Sequence, residues 1–397
     1  MTQAKWEPGE PIGLAVSGGS DSMALLHLAR HAFPDTPLYC ATVDHGLRPE
    51  ATGEAAMVAD VCSRLDVRHT ILTIGDLDDG PNLQSRARTA RYGALVTWAW
   101  DAAVDVIALG HTQDDVAETF LMRLARGSGL DGLASMPDVW VNDETKFIRP
   151  LLFQSRTDLR AYLMAQNVTW SDDPSNDDAK FSRVKARRML PLLAGLGLTA
   201  DRVAGAARHL RDAQDVIDAA VRDLFLSAVT HDGPDQLIDR KMLDAAPKEV
   251  RMRLVSRLAQ WFGNAEYPPR YDALVAVISG TPANMAARTL HGIIWSGDAA
   301  TLRMTRELAA TQPSVGPNWD GRWWIDGLDP GQTIRALGAD GLSFCPDWRD
   351  AGLPRSTVIS APSVWSDHSL VAAPHVNFGP KISMICNLPP WLERFSR

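Results

Sequence analysis

Three carboxylates crowd one short run of this chain, His111-Thr112-Gln113-Asp114-Asp115-Val116-Ala117-Glu118. If a helix opens there, Asp114 and Asp115 occupy its first turn, where acids suit the dipole. Glu118, three and four residues further on, shares their face. Like charges so spaced repel by roughly 0.2–0.5 kcal/mol per pair on an exposed helix. A solvated surface can absorb that. At the mouth of a nucleotide crevice the same spacing points to a positive ligand: Mg²⁺, a substrate ammonium, or both. His111 beside them suits an acid, a hydrogen-bond donor to phosphate or a buried structural residue.

A second cluster, Ser17-Gly18-Gly19-Ser20-Asp21-Ser22, lies between the apolar residues 12–16 and a largely apolar helical stretch, residues 23–30. A strand feeding a helix through such a turn leaves N–H donors and partial positive charge facing the space above the sheet, which attracts anions. The two glycines let the backbone close around a phosphate. The Gly-Lys-Ser/Thr ending of the common P-loop is missing, so no lysine reaches the outer phosphates. Asp21 takes a place in the loop where a carboxylate makes sense chiefly as a Mg²⁺ ligand. Further on, Arg88 and Arg91 share a helix face, suited either to solvent or to phosphate neutralisation.

The elements around these residues must bring them together. Strands over residues 12–16, 38–44, 69–74 and 104–110 alternate with helices over 50–65 and 83–100, which predicts a doubly wound parallel α/β sheet. In such sheets ligands bind beyond the carboxyl ends of the strands, where strand order reverses. With the common 3-2-1-4 order, residues 17–22 and 111–118 face each other across one crevice.

After residue 130 the rhythm stops. Residues 139–141 and 146–148 predict a hairpin, 157–166 a short amphipathic helix, and 199–229 one long amphipathic helix. A mostly helical segment runs on to about residue 280. Short β-like runs follow at 292–296, 323–325, 357–359 and 364–365, broken by Gly and Pro. Seven of the 13 tryptophans fall from Trp295 onward; most are expected to pack a small domain short of other large side chains, with stacking on RNA bases as the alternative. The expected domains are 1–198, catalytic; 199–285, helical; and 286–397, β-rich.

The net charge of −8 argues against a generally basic nucleic-acid binder. Between Lys180 and Arg211, however, eight basic residues stand against one acid, Asp201, which favours a local nucleic-acid surface. The four cysteines are far apart in sequence and form no Cys-x-x-Cys, which argues against structural zinc or an iron–sulfur cluster. No export signal or apolar membrane span is visible, so the expectation is a reduced, cytoplasmic protein.

The assembled motifs resemble the tRNA(Ile)-lysidine synthetase family of the PP-loop ATP-pyrophosphatase superfamily. Beyond the Ser-Gly-Gly-x-Asp-Ser loop, the resemblance rests on Val43-Asp44-His45-Gly46-Leu47-Arg48, Ala87-Arg88, Arg91-Tyr92, and Leu109-Gly110-His111-Thr112 with Asp114, Asp115, Glu118 and Thr119. It continues through Leu121-Met122-Arg123-Leu124, Arg126-Gly127-Ser128-Gly129-Leu130, Arg149-Pro150-Leu151, and Asp173-Pro174-Ser175-Asn176 followed by Arg183 and Arg187. Val116 departs from the family, which has glutamine there more often. Trp348-Arg349-Asp350-Ala351-Gly352-Leu353-Pro354 with Arg335 resembles the small C-terminal domain.

The resemblance implies a ligase joining L-lysine to C2 of the wobble cytidine of tRNA(Ile) with a CAU anticodon, with ATP and Mg²⁺. It implies that residues 17–22 hold pyrophosphate, with Asp21 on the metal. Arg91 and His111 would contact phosphate or the adenylated cytidine, and Asp115 and Glu118 would bind lysine. Arg183 would reach the intermediate or the anticodon. Oligomeric state stays open, a homodimer included. The rival on this fold is tRNA thiolation, which needs reactive cysteines near the site; Cys40 falls on an expected strand and Cys62 on a helix.

Overall fold

A computed structural model describes residues 9–44, 50–75, 83–134, 136–172, 182–279 and 285–393. The expected motifs at residues 45–48 and 173–176 lie outside them. The chain divides into two compact units, Met1–Gln214 and Asp215–Arg397.

The first unit is built on a six-stranded sheet in the order β3-β2-β1-β4-β6-β5. Its parallel strands are β1 (Ile12–Ala15), β2 (Leu38–Asp44), β3 (Arg68–Thr73) and β4 (Val106–Leu109), joined by α1 (Ser20–Ala32), α2 (Glu50–Arg64) and α3 (Leu83–Asp101). Side chains alternate across each strand. Ile12, Leu14 and Val16 therefore enter one apolar layer with Met23, Leu26, Val58 and Val61. Ala15, Ala41, Ile107 and Leu109 face the opposite layer with Leu95, Val96, Trp98 and Ala99. Gly13 is required on that second face, since a Cβ there would stand 3.0 Å from the Trp98 ring.

Helices α4 (Gln113–Leu124) and α5 (Leu130–Leu133) follow β4. The sheet does not end there. The expected hairpin forms as β5 (Val139–Asn142) and β6 (Thr145–Ile148), and β6 pairs parallel with β4, so the hairpin extends the main sheet. Asp143 and Glu144 both take positive φ, the two-residue turn whose twist matches a hairpin. Helix α6 (Arg156–Ala165) packs on α1, and α7 (Ser182–Ala194) packs on α4. The long helix α8 (Ala200–Ala228) forms as its periodicity predicts.

In the second unit, β7 (Val229–Asp232) and β8 (Asp235–Asp239) form a hairpin within the stretch expected to be helical. The cause is local: Gly233-Pro234 makes its two-residue turn, with Gly233 at φ +61°. After α9 (Arg240–Ala245), α10 (Lys248–Phe262) and α11 (Tyr271–Ile278), strands β9 (Met285–Leu290), β10 (Ile293–Gly297) and β11 (Thr301–Arg306) complete a five-stranded sheet, β7-β8-β11-β10-β9. Strands from both sides of residue 285 thus share one sheet, and Ile238, Leu258, Phe262, Trp295 and Met304 share one core.

Two three-stranded sheets follow. One joins β12 (Asn318–Trp319), β13 (Trp323–Ile325) and β17 (Met384–Cys386); the other joins β14 (Gln332–Ala336), β15 (Pro362–Ser366) and β16 (Ser369–Ala372). The β-like run 357–359 is instead part of a helix, Arg355–Ser360, entered from Pro354. Burial overrides β propensity there, because the helix turns the buried Thr357 hydroxyl onto Asp235 at 2.6 Å. Trp295, Trp319, Trp323 and Trp365 are buried, in line with a packing role, whereas Trp324 is exposed. Among the described residues no helix is long and apolar enough to cross a membrane.

Candidate active site

The glycine-rich turn sits where β1 meets α1. Gly18 has φ +88°, which favours glycine, and Gly19 is the helix N-cap without a side-chain cap. The helix starts at Ser20, so Asp21 lies in its first turn rather than in the loop expected from sequence. The turn is braced by Ser22, whose Oγ accepts from the Ser17 amide at 3.1 Å and donates to the Gly19 carbonyl at 2.9 Å. The Ser171 amide donates to the Gly18 carbonyl at 2.9 Å, and Arg160 Nε to Ser20 Oγ at 3.2 Å. First-turn amides of a helix have no intrahelical acceptor, so this end presents donors and positive potential.

Strand β4 lies beside β1 and delivers the second cluster to the same edge. The approach is close: a Cβ on Gly110 would stand 2.9 Å from Ser22 Cα. Thr112 then caps α4 in a capping box with Asp115, the Thr112 amide donating to Asp115 Oδ2 at 2.8 Å.

The three carboxylates of the run divide their work. Asp114 accepts from the Arg156 amide at 2.8 Å and so anchors the start of α6. Asp115 and the fully buried Glu118 turn inward together. The Arg156 guanidinium meets Asp21 at 2.9 Å and Asp115 and Glu118 at 3.3 Å each. From α7, Arg187 lies 2.7 Å and Arg183 3.1 Å from Glu118, with Arg183 3.8 Å from Asp115. Burial alone would raise the Asp115 carboxyl, but Arg183 and Arg156 hold it below the usual range. For Asp21 burial prevails over Arg156 and its carboxyl is raised.

His111 Nδ1 accepts from Arg149 Nε at 3.0 Å, and Arg149 stacks on Trp140 at 3.8 Å. Burial, opposed by Asp115 and reinforced by the charges of Arg149, Arg91 and Arg183, lowers His111 to about 3. It is therefore neutral at pH 7, and with Nδ1 accepting, its proton sits on Nε2 as a hydrogen-bond donor. Arg91 is half-buried and close enough for its charge to act on His111, whereas Arg88 lies over the Tyr92 ring.

Asp21, His111, Asp115, Glu118 and Arg183 thus gather at the carboxyl edge of β1 and β4, with Arg91 close to His111. A PP-loop domain model, an ATP-using type, matches residues 2–193. A Ruegeria pomeroyi protein named tRNA(Ile)-lysidine synthase is 42% identical over 380 residues, covering 93% of this chain and 89% of the relative. The chain belongs to the tRNA(Ile)-lysidine synthase family. A second member, from Wolbachia pipientis, is 30% identical over 93% of this chain and 90% of its own length, and one from Zymomonas mobilis is 39% identical over 62% and 74%.

Arg156 and Arg160 are site residues that no sequence motif singles out, and Arg156 is the more central. One signal was available. Ser155 caps α6, so Arg156 is a cation at the first helical position, where the dipole disfavours it. Arg149 belongs to the Arg149-Pro150-Leu151 motif, and Arg187 to both a motif and the basic run. Cys40 and Cys62 are buried in the apolar layer behind the sheet edge, which removes the support thiolation would need.

Proposed function

We propose that this chain catalyses ATP-dependent ligation of L-lysine to C2 of the wobble cytidine of tRNA(Ile) with a CAU anticodon. The C2 carbonyl oxygen attacks the α-phosphate, pyrophosphate leaves, and the adenylated cytidine is attacked by the lysine ε-amine as AMP departs with that oxygen. The geometric support is the meeting of an anion-binding helix end with the buried acid pair Asp115 and Glu118, beside three guanidiniums.

The amides of residues 17–22 receive pyrophosphate, and the neutral His111 donates through Nε2 to a phosphate or adenylate oxygen. Arg91 and Arg183 neutralise charge on the adenylated intermediate. Asp115 and Glu118 bind the lysine ammonium, and one of them takes its proton so that the neutral amine attacks.

Among the described residues no cluster of three His, Cys, Asp or Glu side chains forms a metal cage. Asp21 still fits Mg²⁺, which takes one or two carboxylates and completes its oxygen shell with phosphate and water. When bound there it would neutralise charge on the phosphates.

Residues 1–198 are assigned the chemistry, and 199–285 and 286–397 the grip on tRNA. The basic run from Lys180 to Arg211 would track the RNA backbone, in the cytoplasm, with affinity falling as salt rises. The test is labelled lysine with Mg-ATP and unmodified tRNA(Ile) carrying CAU, against initiator tRNA(Met) with the same anticodon. Label in the isoleucine tRNA alone is expected. Pyrophosphate release with neither RNA labelled would overturn the lysine assignment and bring thiolation forward.

A further inference from the structure

Arg156 pairs with every carboxylate to which the proposed reaction gives a cationic ligand: Asp21, Asp115 and Glu118. Its main chain is pinned by the hydrogen bond its amide donates to the Asp114 carboxylate, while the guanidinium reaches the cluster on a rotatable stem. Three carboxylates meet three guanidiniums, those of Arg156, Arg183 and Arg187. These six side chains balance before any substrate arrives, and Arg149 and Arg91 beside His111 add more positive charge than the further carboxylate Asp114 offsets. An ammonium entering this arrangement gains no net attraction, whereas a polyphosphate does.

We propose that Arg156 is a resident counter-cation of the lysine site, drawn away by nucleotide phosphates, so that lysine binds tightly only after ATP. The inference rests on the proposed ligation. Of the three arginines, Arg156 alone is paired with Asp21 among the described residues, and so stands at the phosphate end of the cluster. Its planar fork exchanges a carboxylate for a phosphate oxygen pair without loss of geometry. Once turned, it leaves Asp115 and Glu118 one cation short, which is the vacancy an ammonium fills. Arg183 and Arg187 approach Glu118 from α7 and keep the acids in place.

Equilibrium dialysis of labelled L-lysine tests this, using the full chain and unmodified tRNA(Ile). Binding is measured with and without Mg²⁺ and α,β-methylene-ATP, which cannot release pyrophosphate. The analogue is expected to tighten lysine binding to the wild type by about tenfold or more, the scale of one ion pair in a part-buried site. Arg156→Met is expected to bind lysine without the analogue as tightly as the wild type does with it. Wild-type lysine affinity that is equal or weaker with the analogue would overturn the proposal, whatever the folding of the variant. A folded Arg156→Met that keeps weak binding and the full nucleotide response would overturn it too. Lysine bound under no condition would remove the lysine chemistry as well; lysine bound regardless of nucleotide would remove only the role of Arg156.

Discussion

Gly110→Ala isolates the close approach of β4 to the glycine-rich turn without touching a charged group. The added methyl would stand 2.9 Å from Ser22 Cα and 3.0 Å from both Asp21 O and Ser22 N, where ordinary contact begins at 3.4 Å. All three obstacles are backbone, so no side chain can rotate aside. The first turn of α1 and the end of β4 must separate by about 0.5 Å, a packing strain worth about 1–3 kcal/mol. That shift carries Asp21 and the first-turn amides with it. A misplacement of about 1 Å costs on the order of 100-fold in rate, so half of that should cost about tenfold. The assay is tRNA-dependent ATP–pyrophosphate exchange, with thermal unfolding to confirm that the variant is folded. A folded Gly110→Ala with wild-type kcat/KM for ATP would refute the placement of the phosphates against this turn.

Three further outcomes are expected. Glu118→Gln should lower lysine incorporation about tenfold more than it lowers tRNA-dependent pyrophosphate release, because the ion pairs it loses belong to the ammonium pocket; equal losses in the two assays would sink that assignment. His111 titrates near 6.5 when unfolded and at about 3 when folded, so between those values the unfolded chain binds the extra proton and stability falls as pH falls. His111→Asn keeps an acceptor for Arg149 and should lose less stability than the wild type from pH 7 to pH 5, measured by denaturant unfolding; an unchanged slope would count against a buried neutral imidazole. Asp235 accepts from Arg303 and Thr305 at 2.7 Å and from Thr357 at 2.6 Å, so Asp235→Ala should cost about 3 kcal/mol. A melting curve matching the wild type would show that the cluster is not holding the second unit together.

The sequence by itself determined the first unit's plan. Apolar strands separated by amphipathic helices leave a right-handed parallel winding as the available solution. With the common 3-2-1-4 strand order, that winding puts residues 17–22 opposite residues 111–118, so Asp21, His111, Asp115 and Glu118 were legible as one site. Local turn chemistry likewise announced the hairpin at residues 139–148. Tertiary structure decided what no local pattern carries. Arg156 is 135 residues from Asp21, and only the packing of α6 on α1 lays its guanidinium between the two clusters. Asp114 and Asp115 look alike in sequence, yet one anchors a backbone amide and the other faces the arginines. The neutral state of His111 follows from burial and three surrounding arginines, terms that exist only once the chain has closed around it. The helix at 355–360 was decided the same way, by a buried threonine meeting Asp235, whereas the hairpin at 229–239 carries a local signal in its Gly233-Pro234 turn.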